Sequence, residues 1–346
     1  MPDHSDALLA QLIVEPVGVT DDEAAALARE HYGLAVSVTR LTGERDENFK
    51  LTTPAGAEYV LKVANARESP AATDLQTAAL LHLERVDPRI PCPRILRTRE
   101  GEAAIRLRDA RGAERSAHIL SYLPGRLLGD AVPSNLQREA CGRLAGQLAH
   151  ALGSFSHPGA HRAIVWDVRH VRKLAGVLEE LSTFPCRSLA RTFLAEAVQA
   201  VEACLESARQ QVVHNDLNRR NILVDPADES RITGVIDFGD MVYTALIADV
   251  AVGCAELIPS DCCDVACANE CVAAFLRGYQ AGMALLEQEL AMLTALVAVR
   301  LFTNVVVNEW YVRNNPLSRH TVAQEPQLLC TQVEFALKFL RQGVEP

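Results

Sequence analysis

The spacing of apolar and polar residues changes period along the chain, and the changes mark its architecture. Residues 35–42 alternate, as a half-buried strand does when successive side chains point to opposite faces. Residues 48–52 and 59–63 continue as two further strands, with Pro54-Ala55-Gly56 as a hairpin turn between them. Residues 69–86 switch to helical spacing, with Leu75, Ala79, Leu83 and Val86 at helical intervals. Ile90-Pro91-Cys92-Pro93 breaks that helix, because a residue before proline is pushed out of the helical region. Residues 104–107 and 117–122 return to strand. Ahead of all this, Thr20-Asp21-Asp22-Glu23 reads as a capping box that opens a bracing helix, and Gly33 closes it. From Asn135 onward the period is mainly helical: 136–153, 168–181, 189–208, 263–283, 287–312 and 322–342. The exception is 212–240, where short apolar runs are separated by polar loops. The pattern predicts an α+β fold with a small antiparallel N-terminal sheet and helix, followed by a larger, mainly helical part. Ser121-Tyr122-Leu123-Pro124-Gly125 marks the hinge, which divides the chain into 1–121 and 122–346.

Composition narrows the classes of function. A chain of 346 residues, 49% hydrophobic and 23% charged, is an ordinary globular protein. The net charge of −10 argues against a nucleic-acid surface and is compatible with a cationic small molecule. No run has the uncharged length of a membrane span. The most apolar stretch, 290–307, contains Arg300 and Asn304 and reads as a core helix. Residues 7–14 are too short, and lack the basic flank, for a secretory leader, so the expected compartment is the cytoplasm. The ten cysteines are scattered, as buried free thiols are. Cys263, Cys267 and Cys271 share a helix face, but a zinc site would want ligand pairs set on a turn. Oligomeric state is left open.

The candidate chemistry lies in 212–240. His214-Asn215-Asp216 is followed by Asn221, five residues after Asp216, and Asp237-Phe238-Gly239 begins 21 residues after Asp216. The order matches the kinase set H-x-D-x-x-x-x-N and D-F-G, with Asn215 where protein kinases have Arg. Phosphoryl transfer needs a carboxylate to take the hydroxyl proton, and a carboxylate and an amide to hold Mg²⁺ on the phosphates. Asp216 fits the first role, and Asn221 and Asp237 fit the second. Lys62, alone among Val60, Leu61 and Val63, fits the strand lysine that meets the α- and β-phosphates. The loop 42–48 would cover the phosphates through backbone amides at Gly43 and the Asn48 side chain, although it is also what a charged surface hairpin looks like. An acid on the 69–86 helix would hold Lys62. Asp74, Gln76 and Glu84 are the candidates, and Asp74 is favoured. The hinge backbone at Ser121 and Leu123 would meet the nucleotide base. His214 and Asp249, the latter a lone acid in an apolar run, are read as structural support for the catalytic loop. Trp166-Asp167 is either a structural anchor or part of an acceptor pocket.

These residues resemble the phosphotransferase family that includes aminoglycoside phosphotransferases, choline kinases and hydroxylysine kinases, over nearly the whole chain. The features that point to the hydroxylysine kinase branch are G-E-R-D-E-N-F at 43–49, His82-Leu83, Tyr122-Leu123-Pro124-Gly125, Trp166-Asp167, the N-D-L-N-x-x-N loop and I-D-F-G-D-M at 236–241. That branch more often has S-E-R-D-Q-N-F in the first loop, so Gly43 and Glu47 are departures that leave loop contacts and nucleotide preference open. The resemblance implies a protein-kinase-like two-lobed fold, Mg²⁺, ATP or GTP as co-substrate, and a small hydroxyl acceptor. The acceptor it favours is 5-hydroxy-L-lysine. An aminoglycoside, choline, homoserine or a sugar remains open, and a non-catalytic nucleotide-binding module is disfavoured by the intact Lys62, Asp216, Asn221 and Asp237. For a hydroxylysine acceptor, Asp240, Asp167 or Glu309 would pair with ammonium. Arg300 would either clamp the carboxylate or form an internal salt bridge.

Overall fold

The structure, a computed structural model, describes residues 8–9, 12–13, 18–43, 45–108, 112–129, 132–205, 207–316 and 323–343, with the side chains of 202–204 left aside. Most of the stretch read for a leader, Glu44 of the first loop, the Cys204 side chain and Val322 of the last expected helix lie outside the described residues.

Helix α1 (Asp21–Tyr32) opens as its sequence dictates. The Thr20 hydroxyl accepts the Glu23 N–H at 3.2 Å and the Glu23 carboxylate accepts the Thr20 N–H at 2.7 Å. Gly33 ends the helix at φ +71°, where a side chain would be strained. The six-stranded sheet follows: β1 (Ser37–Leu41), β2 (Glu47–Thr52), β3 (Glu58–Val63), β4 (Ile95–Leu96), β5 (Ile105–Arg108) and β6 (Glu114–Ser121). Its order is β1-β2-β3-β6-β4 with β5 also on β6, and all pairs are antiparallel. Alternation sorts the residues. Phe49, Leu51, Leu61, Val63, Ala117 and Ile119 form one face and bury against Ala24, Ala28 and Tyr32 of α1. Asn48, Val60, Lys62, His118 and Leu120 take the other face and line a cleft. The register sets Lys62 opposite both Asn48 and His118.

Helix α2 (Pro70–Val86) crosses behind that cleft, and Leu75, Ala79, Leu80 and Leu83 belong to the larger core of the helical part. A short strand that periodicity missed, β7 (Arg126–Leu127), leads into α3 (Asn135–Leu152), which Ser134 and Gln137 cap reciprocally. The helix expected over 168–181 is two pieces, a 3-10 turn (Val168–Lys173) capped by Asp167 and α4 (Leu174–Glu180), with the kink at His170. There follow α5 (Arg187–Leu205), β8 (Gln210–Val213), β9 (Ile222–Val224), β10 (Ile232–Val235), β11 (Val242–Ala245), α6 (Leu246–Glu256), α7 (Val265–Gly282), α8 (Glu287–Asn314) and α9 (Pro326–Gln342). Strands β10-β9-β7 and β11-β8 form two small antiparallel sheets that carry the loops of the site. Strand β10 ends at Val235, before the Asp237-Phe238-Gly239 segment, and Asp237 sits at φ +59°.

Helices α3 and α7 press backbone to backbone. A Cβ on Gly142 would meet the Phe275 carbonyl oxygen at 2.0 Å, and one on Gly278 would meet that of Glu139 at 1.9 Å. Helix α8 is the one helix among the described residues long and apolar enough to cross a membrane, and 67% of its apolar window is buried inside the fold. Val297, Ala298, Val299, Phe302, Val306 and Val307 are fully enclosed, as a core helix requires.

Candidate active site

The loop between β8 and β9 is wound so that its polar groups hold each other. The Asn218 N–H donates to the Asp216 carbonyl at 2.8 Å, and the Asn221 N–H to the Asn218 carbonyl at 3.0 Å. That turn brings Asn221 back against Asp216. The Asn221 side-chain amide donates to the Asp216 carbonyl at 2.9 Å and to Asp216 Oδ2 at 2.7 Å, while the Asn218 amide donates to Asp216 Oδ1 at 2.9 Å. Behind the loop, His214 is fully buried, accepts the Asp216 N–H on Nδ1 at 3.2 Å and lies edge-on to Phe238 at 4.7 Å. Burial pushes its imidazole down to about 4, so the ring is neutral and can accept. Asn215 takes φ +64°, and Asp249 on α6 accepts its N–H at 2.6 Å. The kink is therefore fixed by a buried carboxylate.

The charges are paired across the site. Asp237 Oδ1 accepts Lys62 Nζ at 2.9 Å and the Gly239 N–H at 3.1 Å, and Lys62 also meets Asp46 Oδ2 at 3.2 Å. Partial desolvation in the cleft works to raise the Asp237 carboxyl, but the Lys62 ammonium overrides it and holds Asp237 well below the usual carboxylate range. Burial likewise works to lower Lys62, yet Asp237 and Asp46 hold its ammonium above the ordinary lysine value. Asp240 meets Arg45 at 2.6 Å, and Asp216 Oδ1 lies 3.4 Å from Arg300. Asp216 stands above the ordinary aspartate value, first through burial and then through the negative charge of Asp240, with Arg300 pulling the other way. An elevated pKa makes a carboxylate a stronger proton acceptor.

Two cavities of about 730 and 700 Å³ meet at this loop. The cleft under the sheet contains every residue read as nucleotide- or metal-binding: Gly43, Asn48, Lys62, Ser121, Leu123, Asn221 and Asp237. Ser121 has already committed its N–H to the Arg94 carbonyl and its hydroxyl to the Arg94 N–H, both at 2.9 Å. The second cavity is bounded by Trp166, Glu256, Arg300 and Asn304, with Leu328 and Gln332 of α9 opposite. Asp216, Asn218, Arg220 and Asp240 line both. The Asn221 amide nitrogen is spent on Asp216, which leaves its oxygen for the cleft, and the Asp237 side chain is half exposed there. Two hard oxygen donors, the Asn221 amide oxygen and the Asp237 carboxylate, would suit a magnesium ion, which would supply positive charge to phosphate oxygens in the cleft. Among the described residues no three His, Cys, Asp or Glu side chains converge on a metal. Cys263 and Cys267 are exposed and Cys271 is buried.

Several expectations are corrected. Asp74 does not hold Lys62. It points outward and pairs with Arg106 at 3.0 Å, while Asp46 from the β1–β2 loop meets the lysine instead. Asp167 does not face the acceptor cavity. It is 1% exposed, caps the following turn through the Arg169 N–H, pairs with the Arg169 guanidinium at 3.0 Å and accepts the Thr244 hydroxyl at 3.2 Å. Glu309 is turned to Arg313 on its own helix, one turn on, at 2.6 Å, and lines neither cavity. Of the two readings of Arg300, the structure shows the internal ion pair: its fork is engaged at Glu256, Trp166 and Asp216. Periodicity and motif spacing missed Arg45, Asp46, Glu68, Arg162 and Glu256. Arg162 reaches the Gly239 and Met241 carbonyls and Glu68, the last at 3.0 Å, which fixes the backbone beyond Asp237. Arg45 and Asp46 stood inside the quoted 43–49 motif without a role, and Glu256 left a weaker signal: it follows Asp249 by seven residues, on the same face of α6.

The antiparallel sheet over a helical part, with proton-acceptor, metal and lysine candidates at their junction, defines a kinase of the protein-kinase-like class. Residues 37–291 match the phosphotransferase enzyme family, and the chain belongs to it. The mouse hydroxylysine kinase is 31% identical over 267 residues, 70% of each chain, and the zebrafish one is 26% identical over 308 residues, 86% of this chain and 82% of that one. Among solved structures, an amicoumacin kinase in complex with AMP-PNP and Ca²⁺ superposes with TM-score 0.65 at 16% identity, covering 99% of this chain and 94% of that one. A microcompartment-associated aminopropanol kinase gives 0.64 at 16% identity, covering 92% and 95%. The protein is a small-molecule kinase that acts on a hydroxyl group.

Proposed function

We propose that the protein transfers the γ-phosphoryl group of ATP or GTP to the hydroxyl of 5-hydroxy-L-lysine. The observation that carries the reading is the position of Asp216, on the wall shared by two cavities, one under the sheet and one among the helices. Residues 1–121 then cover the nucleotide, and 122–346 supply the catalytic loop and the acceptor-binding helices. Lys62 orients the α- and β-phosphates, with the Gly43–Asn48 side of the loop above them. Asn221 and Asp237 hold Mg²⁺, which when bound neutralises charge on the phosphates. Asp216 takes the proton of the acceptor hydroxyl as the new O–P bond forms, the bond from the γ-phosphorus to the bridging oxygen breaks, and the nucleoside diphosphate leaves. The ammonium next to the reacting hydroxyl suits the acid-rich floor made by Asp240 and Glu256. The hydroxylysine kinase relatives support the choice of acceptor.

The test is a coupled assay with Mg²⁺ and ATP or GTP in parallel, against 5-hydroxylysine, homoserine, choline, ethanolamine and an aminoglycoside. Turnover confined to hydroxylysine is expected. Turnover on another acceptor alone would keep the mechanism and remove the substrate. Bound nucleotide with no turnover on any of them would remove the acceptor assignment altogether.

A further inference from the structure

We infer that Arg300 is a positioning residue for the proton-accepting carboxylate, seated by Glu256, and not a reader of the acceptor. The inference rests on the assignment of Asp216 above. Arg300 lies in the middle of α8 and is 3% exposed. Its Nε donates to Glu256 Oε1 at 3.0 Å, its Nη1 to the Trp166 carbonyl at 3.1 Å, and its Nη2 reaches Asp216 Oδ1 at 3.4 Å. The guanidinium carbon stands 5.1 Å from the centre of the Trp166 ring. A guanidinium is a rigid planar fork, so three nitrogens engaged in three directions beside an aromatic ring leave it one seat. Asn304, one turn further along the same helix, donates to the same Glu256 oxygen at 2.9 Å and fixes that seat from the other side.

The seat is passed on to Asp216. Its other side-chain partners, Asn218 and Asn221, belong to its own loop and move with it. Arg300 is the contact that indexes the carboxylate to the helices walling the acceptor cavity. Helix α6 braces the loop twice on one face. Asp249 holds the Asn215 N–H, and Glu256, two turns on, holds the arginine that holds Asp216. Reaction geometry is sensitive to small displacements, since about 1 Å of misplacement can cost about 100-fold in rate. A group that seats the proton acceptor therefore acts on kcat with every acceptor. A group that clamps a carboxylate acts on KM, and only where the acceptor has one.

The experiment compares Arg300→Met, Arg300→Lys and Glu256→Gln with the wild-type enzyme. It uses two acceptors that differ only by a carboxylate, 5-hydroxylysine and 1,5-diaminopentan-2-ol. For Arg300→Met we expect kcat to fall about 100-fold by the same factor on both, with nucleotide KM within about twofold. Arg300→Lys restores part of the loss, because charge remains but the fork does not. Glu256→Gln lowers kcat about tenfold on both acceptors, because the arginine keeps its charge and loses its anchor. A rise in KM for hydroxylysine alone, or an unchanged kcat, would overturn the inference. The Lys and Gln variants keep it decidable if Arg300→Met does not fold. Should the wild type turn over neither acceptor, the substrate reading fails separately. The variants are then compared on slow transfer to water, which calls on the same carboxylate, and rates equal to wild type would overturn the positioning role.

Discussion

The two cavities share a wall and are built by different means. The nucleotide cleft draws Asn48, Lys62 and His118 from one face of one sheet, and Asn221 and Asp237 from loops beside short strands. The acceptor cavity takes Trp166 from a loop, Glu256 from the end of α6, Arg300 and Asn304 from α8, and Leu328 and Gln332 from α9. The first is set by local geometry, meaning strand alternation and turns a few residues long. The second is set by how four distant segments pack. The difference teaches that, on the proposed reading, phosphoryl-transfer groups sit on backbone-near positions, whereas the acceptor cavity is walled by the helical core.

The sharpest break in that comparison is at the shared wall. Asp216→Asn should lower kcat by about 10²–10⁴ while nucleotide affinity, measured by calorimetry, stays unchanged. Undiminished turnover would remove Asp216 from the chemistry. Next comes the cleft alone. Lys62→Met leaves Asp237 and Asp46 facing each other without their cation, and should cut kcat/KM for nucleotide about 100-fold, with acceptor KM much less affected. An acceptor KM that moved in step with the nucleotide value would mean the two cavities are not separate in function.

A smaller effect tests the brace beneath the wall. Burial raises the Asp249 carboxyl to about 6, against the hydrogen bond from the Asn215 N–H, which works to lower it. The folded state thus holds this proton more tightly than the unfolded chain, whose value is about 3.9. The stability that this affinity contributes is full below about pH 4 and is lost as pH rises through about 6. Asp249→Asn has no such titration. Wild type should therefore gain on the variant as pH falls from 7 to 4, by on the order of 2–3 kcal/mol in urea melts. Parallel stability curves would show that the carboxyl titrates in the fold as it does in water. The smallest effect is expected outside both cavities. Asp74→Ala removes an exposed pair with Arg106 and should change stability by less than about 1 kcal/mol and leave nucleotide KM alone. A raised nucleotide KM would return Asp74 to the Lys62 circuit.

Much of the nucleotide side could be read from residue order. Asp216, Asn221 and Asp237 are separated by a loop and a hairpin whose lengths leave little freedom, and Lys62 is placed by parity with Leu61 and Val63. The capping box at Thr20 and Glu23 is a contact three residues long and was legible for the same reason. Helix boundaries followed where the apolar stripe was long, as in α3 and α8, and failed at 168–181, where a buried Asp167 caps a tight turn that periodicity does not register.

The ion pairs were not legible, because each joins segments far apart in the chain. Asp46 and not Asp74 meets Lys62 because the β1–β2 loop folds down over the cleft while Asp74 faces Arg106 across the helix surface. Arg300 meets Asp216 across 84 residues of sequence, and Arg45 meets Asp240 across 195. Residue order by itself determined the kinase class and brought the proposed transfer groups, Lys62, Asp216, Asn221 and Asp237, to one cleft, since short-range sterics and strand parity place them. Only the tertiary structure decided which charges neutralise one another and which helices wall the acceptor, because a buried charge pairs with whatever opposite charge the packing of the core brings within reach.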